Sequence, residues 1–512
     1  MLPDANAAEI PSALSTDICI VGGGAAGITL AVQLARRRRP FLLIESGGEH
    51  FDPAQQGLYS MAVTGLPYSP DASRLRFFGG TTNHWAGWCR QIDPVDVQPA
   101  EGLERMAWPI SVEELASYYQ IAHDYCRIGP NESSARQWVR RLEIPEDRKS
   151  TLTVIDSEEI ESRIWQYSDP PVRFGSAFRE ELMRSSDARI LLNLNLVSAT
   201  LRDRQIAALH CRTLKGKDVT IACRTVVICC GGIENARILL TLNREGSRQP
   251  GNDHDLVGRY FADHVIPNTA ADVIPTTGDF SFYSKQWNTN YAATNRRAGE
   301  RREVRALFGL SQGAIRNLRV PNVAARLEPP VPLDPADANL MTIARFAAQY
   351  DAERTGRPAR STFERMELVI AVSHHPEWSS RVYITPDERD PLGVPKAALN
   401  WVVNERDVET IRIFVERLGA VLAEKNLGRV RWRLKESLAD LVRRGAWIGN
   451  HHIGTTGMGA DARSGVVDRN LRVFGTENLY VCGSSVFPHA TTSTPTLTIV
   501  ALAARLASHL TA

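Results

Sequence analysis

The residues whose types and spacing most clearly indicate chemistry are Gly22, Gly24 and Gly27, which form a G-x-G-x-x-G run after an apolar stretch at residues 17–21. In such a run the first glycine makes a tight turn, the second lets the backbone approach a pyrophosphate, and the third allows close helix–strand packing. The following helix presents free N–H groups and a positive dipole end to phosphates. Glu45 ends the next apolar stretch, where its carboxylate can accept a hydrogen bond from a ribose hydroxyl.

This order of strand, turn, helix, strand and acid predicts dinucleotide binding. The alternative is a glycine-rich turn that binds no ligand. The predicted contacts are Gly22, Gly24, Ala25, Ala26, Gly27, Glu45 and Ser46.

A second stretch, residues 74–90, combines glycines, small polar residues and tryptophans. This mixture is poorly suited to a core or a helix, and it is typical of a loop that lies against a flat ligand. Glycines there allow backbone contact, and tryptophans shield a ring system. The alternative is a surface loop with buried tryptophans. The predicted contacts in this loop are Gly80, Thr81, Asn83, His84, Trp85 and Ala86.

The composition limits the classes of partner. The chain has 512 residues, a formal net charge of +2 and 43% hydrophobic residues, which indicates an ordinary globular protein without a nucleic-acid partner. No apolar run is long enough to span a membrane, and residues 1–15 lack the pattern of a signal peptide. Eight cysteines without C-x-x-C spacing predict buried thiols in a reducing, cytoplasmic compartment, with no metal site.

Two kinds of element follow one another along the chain. Apolar runs between residues 190 and 228 lead into a second glycine turn, which indicates a return to the nucleotide-binding sheet. Strand-like runs at residues 366–373, 381–385 and 396–403 precede a long amphipathic helix that Asn404 caps. This second pattern predicts an antiparallel sheet with a helix on one face.

Taken together, these motifs resemble those of the glucose–methanol–choline (GMC) oxidoreductases, which are FAD-dependent alcohol oxidases and dehydrogenases. The motifs run through nearly the whole chain in the family's order. They are G-x-G-x-x-G, G-G-x-x-x-H-W, Gly231-Gly232, G-R-x-F-x-D-H, H-x-x-G-T, and N-L-Y-V followed by P-T-L-T. Within the family, the chain looks nearest to the bacterial branch of pyranose 2-oxidase and the fructose, gluconate and glucoside dehydrogenases.

The resemblance implies a fold that combines α/β and α+β parts. Residues 1–267, with the flavin-contacting loop 74–90, and residues 446–512 would form a Rossmann-like FAD-binding domain. Residues 268–445 would form an antiparallel-sheet substrate domain, with the active site between the two. Further FAD contacts implied by the resemblance are Val197, Gly231, Gly483, Ser484, Pro495 and Thr496.

The resemblance also assigns roles to individual side chains. His451 matches the family's catalytic base, which takes the hydroxyl proton as hydride leaves the carbon; its neighbour His452 is expected to be structural. His84 matches the histidine that carries FAD covalently in pyranose 2-oxidase and choline oxidase, and the alternative is a histidine packed against the flavin's methyl edge. Where the family has Asn or His, this chain has Thr494. Either Thr494 donates to the substrate oxygen, or His489 or Ser493 replaces it, or the chemistry differs.

The expected activity is oxidation of an alcohol, of a sugar or glycoside by the nearest branch, to the carbonyl with reduction of FAD. A dehydrogenase or oxidase of an aliphatic, aromatic or steroid-like alcohol is the first alternative. A FAD-containing lyase and a catalytically silent flavoprotein are the others. No haem or iron–sulfur spacing occurs, so the electron acceptor is expected to be oxygen, a quinone or a separate protein. An oligomer is left open.

Overall fold

A computed structural model describes residues 2–142, 144–243, 249–267, 270–284, 301–356, 364–434, 436–445 and 447–512. Its strands, in chain order, are β1 Ala13–Val21, β2 Phe41–Ile44, β3 Ala62–Val63, β4 Trp88–Cys89, β5 Ile160–Asp169, β6 Ala188–Leu191, β7 Asn195–Arg202, β8 Gln205–Arg212, β9 Asp218–Ile228, β10 Val265–Ile266, β11 Ala271–Pro275, β12 Arg301–Leu310, β13 Val323–Leu327, β14 Val331–Pro332, β15 Glu364–Val372, β16 Arg381–Arg389, β17 Pro395–Asn400, β18 Gly428–Trp432, β19 Trp447–Ile448 and β20 Leu479–Val481.

The α-helices are α1 Ala25–Arg36, α2 Pro53–Gly57, α3 Pro94–Val97, α4 Val112–Cys126, α5 Ala135–Arg141, α6 Glu146–Thr151, α7 Phe174–Arg184, α8 Gly232–Thr241, α9 Gln312–Leu318, α10 Ala338–Thr355, α11 Glu405–Glu424, α12 Leu438–Gly445 and α13 Pro495–Thr511. Short 3₁₀ turns lie at Gly80–Asn83, Glu104–Met106, Ser281–Tyr283 and Ser484–Val486.

The first sheet has the order β6-β2-β1-β9-β8-β7, and β20 also pairs with β9. β6, β2, β1, β9 and β20 pair in parallel, while β8 and β7 continue the sheet in antiparallel register. The parallel strands are apolar because helices cover both faces of such a sheet; β2, for example, is buried along its whole length. The expected Rossmann-like half of the fold is therefore present.

The predicted cap of the long amphipathic helix is confirmed, and two other helices also begin at local signals. Ser111 and Glu114 form a capping box at the start of α4, and the Asn404 side chain caps α11 by accepting from the backbone N–H of Arg406. Pro495 is the first residue of α13. α13 packs against both α1 and α4, so the last segment of the chain closes the first domain.

The second sheet is antiparallel and has the order β18-β11-β15-β13-β12-β5-β4, with β10, β14 and β19 paired at its margins. α11 packs on it through an apolar stripe that includes Ile411, Phe414 and Leu418, all buried. Three of its strands, β4, β5 and β10, come from within residues 1–267, and β19 comes from within residues 446–512. The division into 1–267, 268–445 and 446–512 therefore stays a prediction, and these strands link its two parts.

No helix within the described ranges has the length and apolar character that a membrane crossing requires. The eight cysteines carry free thiols, and six of them are buried.

Candidate active site

A cavity of about 510 Å³ lies between the carboxyl ends of the parallel strands and the antiparallel sheet. Open α/β sheets bind their ligands at this edge. The predicted site residues that line the cavity are Gly22, Gly24, Ala25, Ala26, Glu45, Ser46, Gly80, Thr81, His84, Trp85, Ala86, Gly231, His451, Gly483, Ser484, Thr494, Pro495 and Thr496. The structure thus brings together segments that are far apart in the sequence.

Val197 differs from these residues because it does not line the cavity, and its contact with FAD stays a prediction. Its side chain packs in a small apolar cluster with Leu58, Leu392 and Val394. Leu196, the residue before it, lines the cavity instead. Successive side chains of a strand point to opposite faces, so Val197 faces away from the cavity.

Gly27 and Asn83 also do not line the cavity. Each supports a segment that does. A Cβ on Gly27 would lie 1.9 Å from the carbonyl oxygen of Gly22, which is the close helix–strand packing expected of the third glycine. The Asn83 amide donates to the carbonyl of Phe78 at 3.0 Å. It thereby braces the turn at Gly79 and Gly80, whose φ angles of 101° and 52° favour glycine.

Glu45 is held at the end of β2 by the glycine turns around it. One carboxylate oxygen accepts from the Gly23 N–H at 2.7 Å, and the other accepts from the Gly47 N–H at 2.8 Å. The second oxygen also accepts from the Ser46 hydroxyl at 3.2 Å, whereas the first keeps a further lone pair. The carboxylate is therefore oriented by the backbone and can still accept from a ribose hydroxyl.

The nucleotide end of the cavity fits FAD. A Cβ on Gly24 or Gly231 would have no atom within 4 Å, so open space lies at the start of both α1 and α8. The guanidinium of Arg76 lines the same space, and its buried Nε has no hydrogen-bond partner among the described residues. An open cradle at a helix N-terminus and an orphaned cationic donor are features that a pyrophosphate would satisfy.

A methyl group placed in this cradle should weaken FAD binding. Gly24→Ala is expected to fold, because its Cβ meets open space and its φ of −88° suits alanine. The methyl group would occupy the space where the pyrophosphate approaches, so the Kd for FAD should rise at least about tenfold. Titration of the apoprotein with FAD measures this. Gly57→Ala is the matched control: its Cβ also meets open space, but on an exposed helix end outside the cavity, so it should keep the wild-type affinity for FAD. Unchanged FAD affinity in Gly24→Ala would contradict the placement.

The loop at residues 74–90 is fixed against the first domain by Arg173, whose guanidinium donates to the carbonyls of Thr82 and Trp85 at 3.0 Å each. The indole of Trp85 donates to the carbonyl of Val172 at 2.8 Å. His84 projects into the cavity, and burial, helped by Arg173, lowers its pKa. A neutral imidazole nitrogen is therefore presented at the cavity wall.

His451 belongs to a hydrogen-bonded group that also contains Asp263, His264 and Tyr68. One Asp263 oxygen accepts from the backbone N–H groups of His264 and His451, at 2.6 and 3.1 Å, and the other accepts from the Tyr68 hydroxyl at 2.7 Å. Burial raises the pKa of Asp263 to about 6. The carboxylate thus ties together two backbone segments that are 187 residues apart in the sequence.

The hydrogen bonds of this group define the tautomers of both histidines. His264 Nε2 lies 2.5 Å from the carbonyl oxygen of Thr491, and a carbonyl only accepts, so Nε2 carries the proton. Burial lowers the pKa of His264 to about 4, so the ring is neutral and its Nδ1 carries a lone pair. His451 Nδ1, 3.0 Å from that atom, must therefore donate to it.

These hydrogen bonds leave the Nε2 atom of His451 without a proton, which is called the bare Nε2 below. Burial, and then the neighbouring His264 and His452, lower the pKa of His451 well below its ordinary value, so the ring is neutral and its second nitrogen has no proton. None of the described residues hydrogen-bonds Nε2, and the ring lines the cavity. The arrangement presents a proton acceptor to a ligand.

Asp263, His264 and His451 lie close enough together for their ligand atoms to surround a metal ion. The hydrogen bonds that they form already use the lone pairs of Asp263 and of His264 Nδ1 that such an ion would need. The arrangement suits proton transfer better than metal binding.

The other candidate polar groups have structural partners. His452 Nε2 lies 3.0 Å from the Ser73 hydroxyl, in agreement with a structural role. The Thr494 hydroxyl lines the cavity but donates to the carbonyl of Trp88 at 2.6 Å, so it can accept from a substrate and not donate to it. His489 and Ser493 do not line the cavity: the His489 ring contacts the carbonyls of Ala490 and Asp96, and Ser493 donates to Gln91.

Sequence reasoning missed Asp263, His264 and Tyr68 as members of the site. The signal for two of them was present, because Asp263 and His264 end the G-R-x-F-x-D-H run. Tyr68 lies in an irregular polar stretch that carries no pattern of its own.

A parallel nucleotide-binding sheet, a cavity that fits FAD and a bare imidazole nitrogen in that cavity define a flavoprotein oxidoreductase. Comparison with known protein families agrees. Residues 17–254 match the family model described as FAD dependent oxidoreductase, and residues 376–503 match the model described as GMC oxidoreductase. The chain is therefore a FAD-dependent oxidoreductase whose C-terminal part matches the GMC family.

Individual relatives extend over almost the whole chain. The chain is 23% identical to 2-methyl-1,2-propanediol dehydrogenase of Mycolicibacterium austroafricanum, covering 98% of this chain and 96% of that protein. It is 24% identical to the fructose dehydrogenase large subunit of Gluconobacter japonicus, covering 96% and 97%. The crystal structure of pyridoxine 4-oxidase from Mesorbium loti is similar, with a TM-score of 0.58, 19% identity and coverage of 96% and 98%. This likeness shows the shared fold.

Proposed function

We propose that the enzyme oxidises a CH–OH group of a sugar or glycoside to the carbonyl, with His451 as the base. The observation that carries the proposal is the bare Nε2 of His451 at the cavity wall. Its Nδ1 is held by His264 and its backbone by Asp263, so this nitrogen is the group prepared to receive a proton.

Bound FAD supplies the acceptor for the hydride that leaves the substrate carbon. His451 Nε2 takes the hydroxyl proton, and the lone pair of His264 Nδ1 stabilises the imidazolium that results. The carbonyl of Thr491 keeps the His264 ring in the orientation that this requires. Thr494 accepts from a neighbouring hydroxyl and helps to orient the substrate.

The preference for sugars is supported by the similarity to the fructose dehydrogenase subunit. The similarity to a propanediol dehydrogenase supports the alternative, a small aliphatic alcohol. A silent flavoprotein would not need a neutral histidine whose free nitrogen is at the cavity wall. A lyase that deprotonates a hydroxyl would need one, so the flavin absorbance must distinguish a lyase from an oxidase. The acceptor, whether oxygen, a quinone or another protein, the cytoplasmic location and the oligomeric state stay predictions.

Anaerobic mixing of the FAD-loaded enzyme with a panel of sugars, glycosides and simple alcohols tests the proposal. Loss of flavin absorbance with one equivalent of carbonyl product supports oxidation. Product without loss of absorbance would indicate a lyase, and neither change with any alcohol would indicate a silent flavoprotein. Repeating the active reactions with oxygen and then with a quinone dye identifies the acceptor.

The role of Thr494 is expected to be modest, because its proton is used by Trp88. Thr494→Ala should lower the rate of anaerobic flavin reduction by about two- to tenfold, the value of one hydrogen bond, while FAD stays bound. Thr494→Ser keeps the hydroxyl and should retain the wild-type rate. A rate in Thr494→Ala equal to that of the wild type would remove Thr494 from the mechanism.

The covalent link through His84 stays a prediction with a direct test. Denaturation and acid precipitation of the holoenzyme should give a yellow pellet, and the pellet of His84→Ala should be colourless. A colourless wild-type pellet would show that His84 only packs beside the flavin.

A further inference from the structure

The antiparallel sheet places two buried arginines beside the cavity. Arg305 on β12 is 1% exposed, and Arg326 on β13 is 6% exposed and lines the cavity. Their guanidinium carbons lie 5.9 and 4.9 Å from the centre of the Trp88 ring, which also lines the cavity. The substrate end of the cavity therefore carries two cations around one tryptophan.

Among the described residues, one carboxylate, that of Glu328, pairs with these two cations, so one positive charge is left unbalanced. Arg326 donates from Nε to Glu328 at 2.8 Å, and its Nη atoms bond to no residue that the structure describes. Arg305 forms no ion pair within the described ranges, and its Nε and Nη1 are buried without a hydrogen-bond partner. Burial, and then Arg305, lower the pKa of Arg326, as expected for neighbouring cations in a poorly solvated place.

Contacts with aromatic rings compensate only part of the free energy lost when these two guanidinium ions are removed from water. Arg305 also lies 6.0 Å from the Tyr167 ring centre, and cation–π contacts of this kind are weak compared with the desolvation of an ion. Buried cations are normally paired with anions. An anion from outside the chain would complete the site, and guanidinium groups bind the oxygens of carboxylates and phosphates with two parallel hydrogen bonds.

We propose that the substrate is an alcohol that bears an oxyanion substituent, a carboxylate or a phosphate, held by Arg326 against Trp88. Arg305, which does not line the cavity, supplies a second positive charge on the neighbouring strand. The inference rests on the proposed function, since it places this anion on the molecule whose hydroxyl reaches His451. A sugar acid or a sugar phosphate combines both features.

Matched neutral and anionic alcohols test the proposal on FAD-loaded protein. Suitable sets are D-glucose with D-glucuronate and D-glucose 6-phosphate, glycerol with glycerate, and benzyl alcohol with 4-(hydroxymethyl)benzoate. Binding is measured by anaerobic calorimetry in His451→Ala, in which flavin reduction is expected to be about 10²–10⁴-fold slower. We expect at least one anion to bind about ten- to a hundredfold more tightly than its neutral partner. The glucuronate and 6-phosphate arms distinguish a carboxylate from a phosphate.

Adding Arg326→Met to His451→Ala should remove this preference, measured as the ratio of the Kd values of the neutral and anionic partners. Arg326→Lys should keep part of it. The control is Arg316→Met, an exposed arginine on α9, which should keep all of it. Equal binding of neutral and anionic partners in every set would overturn the proposal, and this comparison needs no variant at position 326. A preference for the anionic partner that persists in Arg326→Met would also overturn the proposal.

The outcomes separate this inference from the proposed function. Anions that bind through Arg326 while no alcohol reduces the flavin of the wild-type enzyme would leave the inference standing and the proposed function wrong. Neutral alcohols that reduce the flavin without any preference for the charged partner would leave the proposed function standing and the inference wrong.

Discussion

Replacing His451 with alanine is expected to slow anaerobic flavin reduction by about 10²–10⁴-fold while FAD remains bound. The loss should be this large because His451 Nε2 is the bare nitrogen of the hydrogen-bonded group, and its ring lines the cavity. Stopped-flow absorbance measures the rate, and the flavin spectrum of the purified variant reports FAD content. An undiminished rate in a yellow His451→Ala variant would contradict the assignment of the base.

His452→Gln is the matched control for this prediction. His452 is the adjacent histidine, it lines the same cavity, and it contacts Ser73, a contact that an amide can replace. The control should therefore retain FAD and reduce it at close to the wild-type rate. A loss in His452→Gln as large as that in His451→Ala would show that the two imidazoles had been assigned the wrong way round.

The pH dependence offers a second test of the same base. A base must be neutral to act, and the pKa of His451 is lowered below its ordinary value of 6.5. We therefore expect kcat/KM to stay flat as the pH falls from the weakly alkaline range to 6.5, and to decline only at lower pH, where Nε2 takes up a proton. A decline centred at or above 6.5 would show that the environment does not depress this pKa.

The parts of the site that follow from the sequence are those encoded over short distances. The glycine turn, the helix after it and Glu45 lie within one βαβ unit, and each local signal indicates the same structure. In contrast, the partner of His451 is 187 residues away. Only the folded sheets bring such residues together, so no local spacing could have predicted the bond between the two imidazoles.

Strands β5 and β12 were not identified from the sequence, because both strands carry buried polar residues. β5 and β12 pair over ten residues, yet β5 carries Arg163 and Gln166, both buried, and β12 carries Arg305. Polar side chains that face a cavity or a buried ion pair break the alternation that identifies a strand. The side-chain direction of Val197 could not be derived from the sequence for a related reason: the register of β7 shifts between Leu196 and Ser198.

His264 provides the second large expected effect. His264→Leu removes the acceptor of the His451 Nδ1–H, so the ring is free to rotate and to populate the tautomer with a proton on Nε2. In serine proteases, loss of the correct histidine tautomer costs about 10⁴ in kcat. Because His264 is a neutral acceptor and not a carboxylate, we expect a smaller loss in flavin reduction, about 10²–10³-fold, with FAD still bound and substrate affinity little changed.

His264→Gln separates positioning from packing. Its amide oxygen can accept from His451 Nδ1, so this variant should recover at least tenfold of the rate lost in His264→Leu. The ¹⁵N chemical shifts of His451 give a readout that a purely structural role would not change: a protonated Nδ1 and a bare Nε2 in the wild type and in His264→Gln, and a mixture of tautomers in His264→Leu. Wild-type protein with the proton on Nε2 would overturn the assignment, because the nitrogen that faces the cavity would then be a donor and His451 could not accept the substrate's proton there.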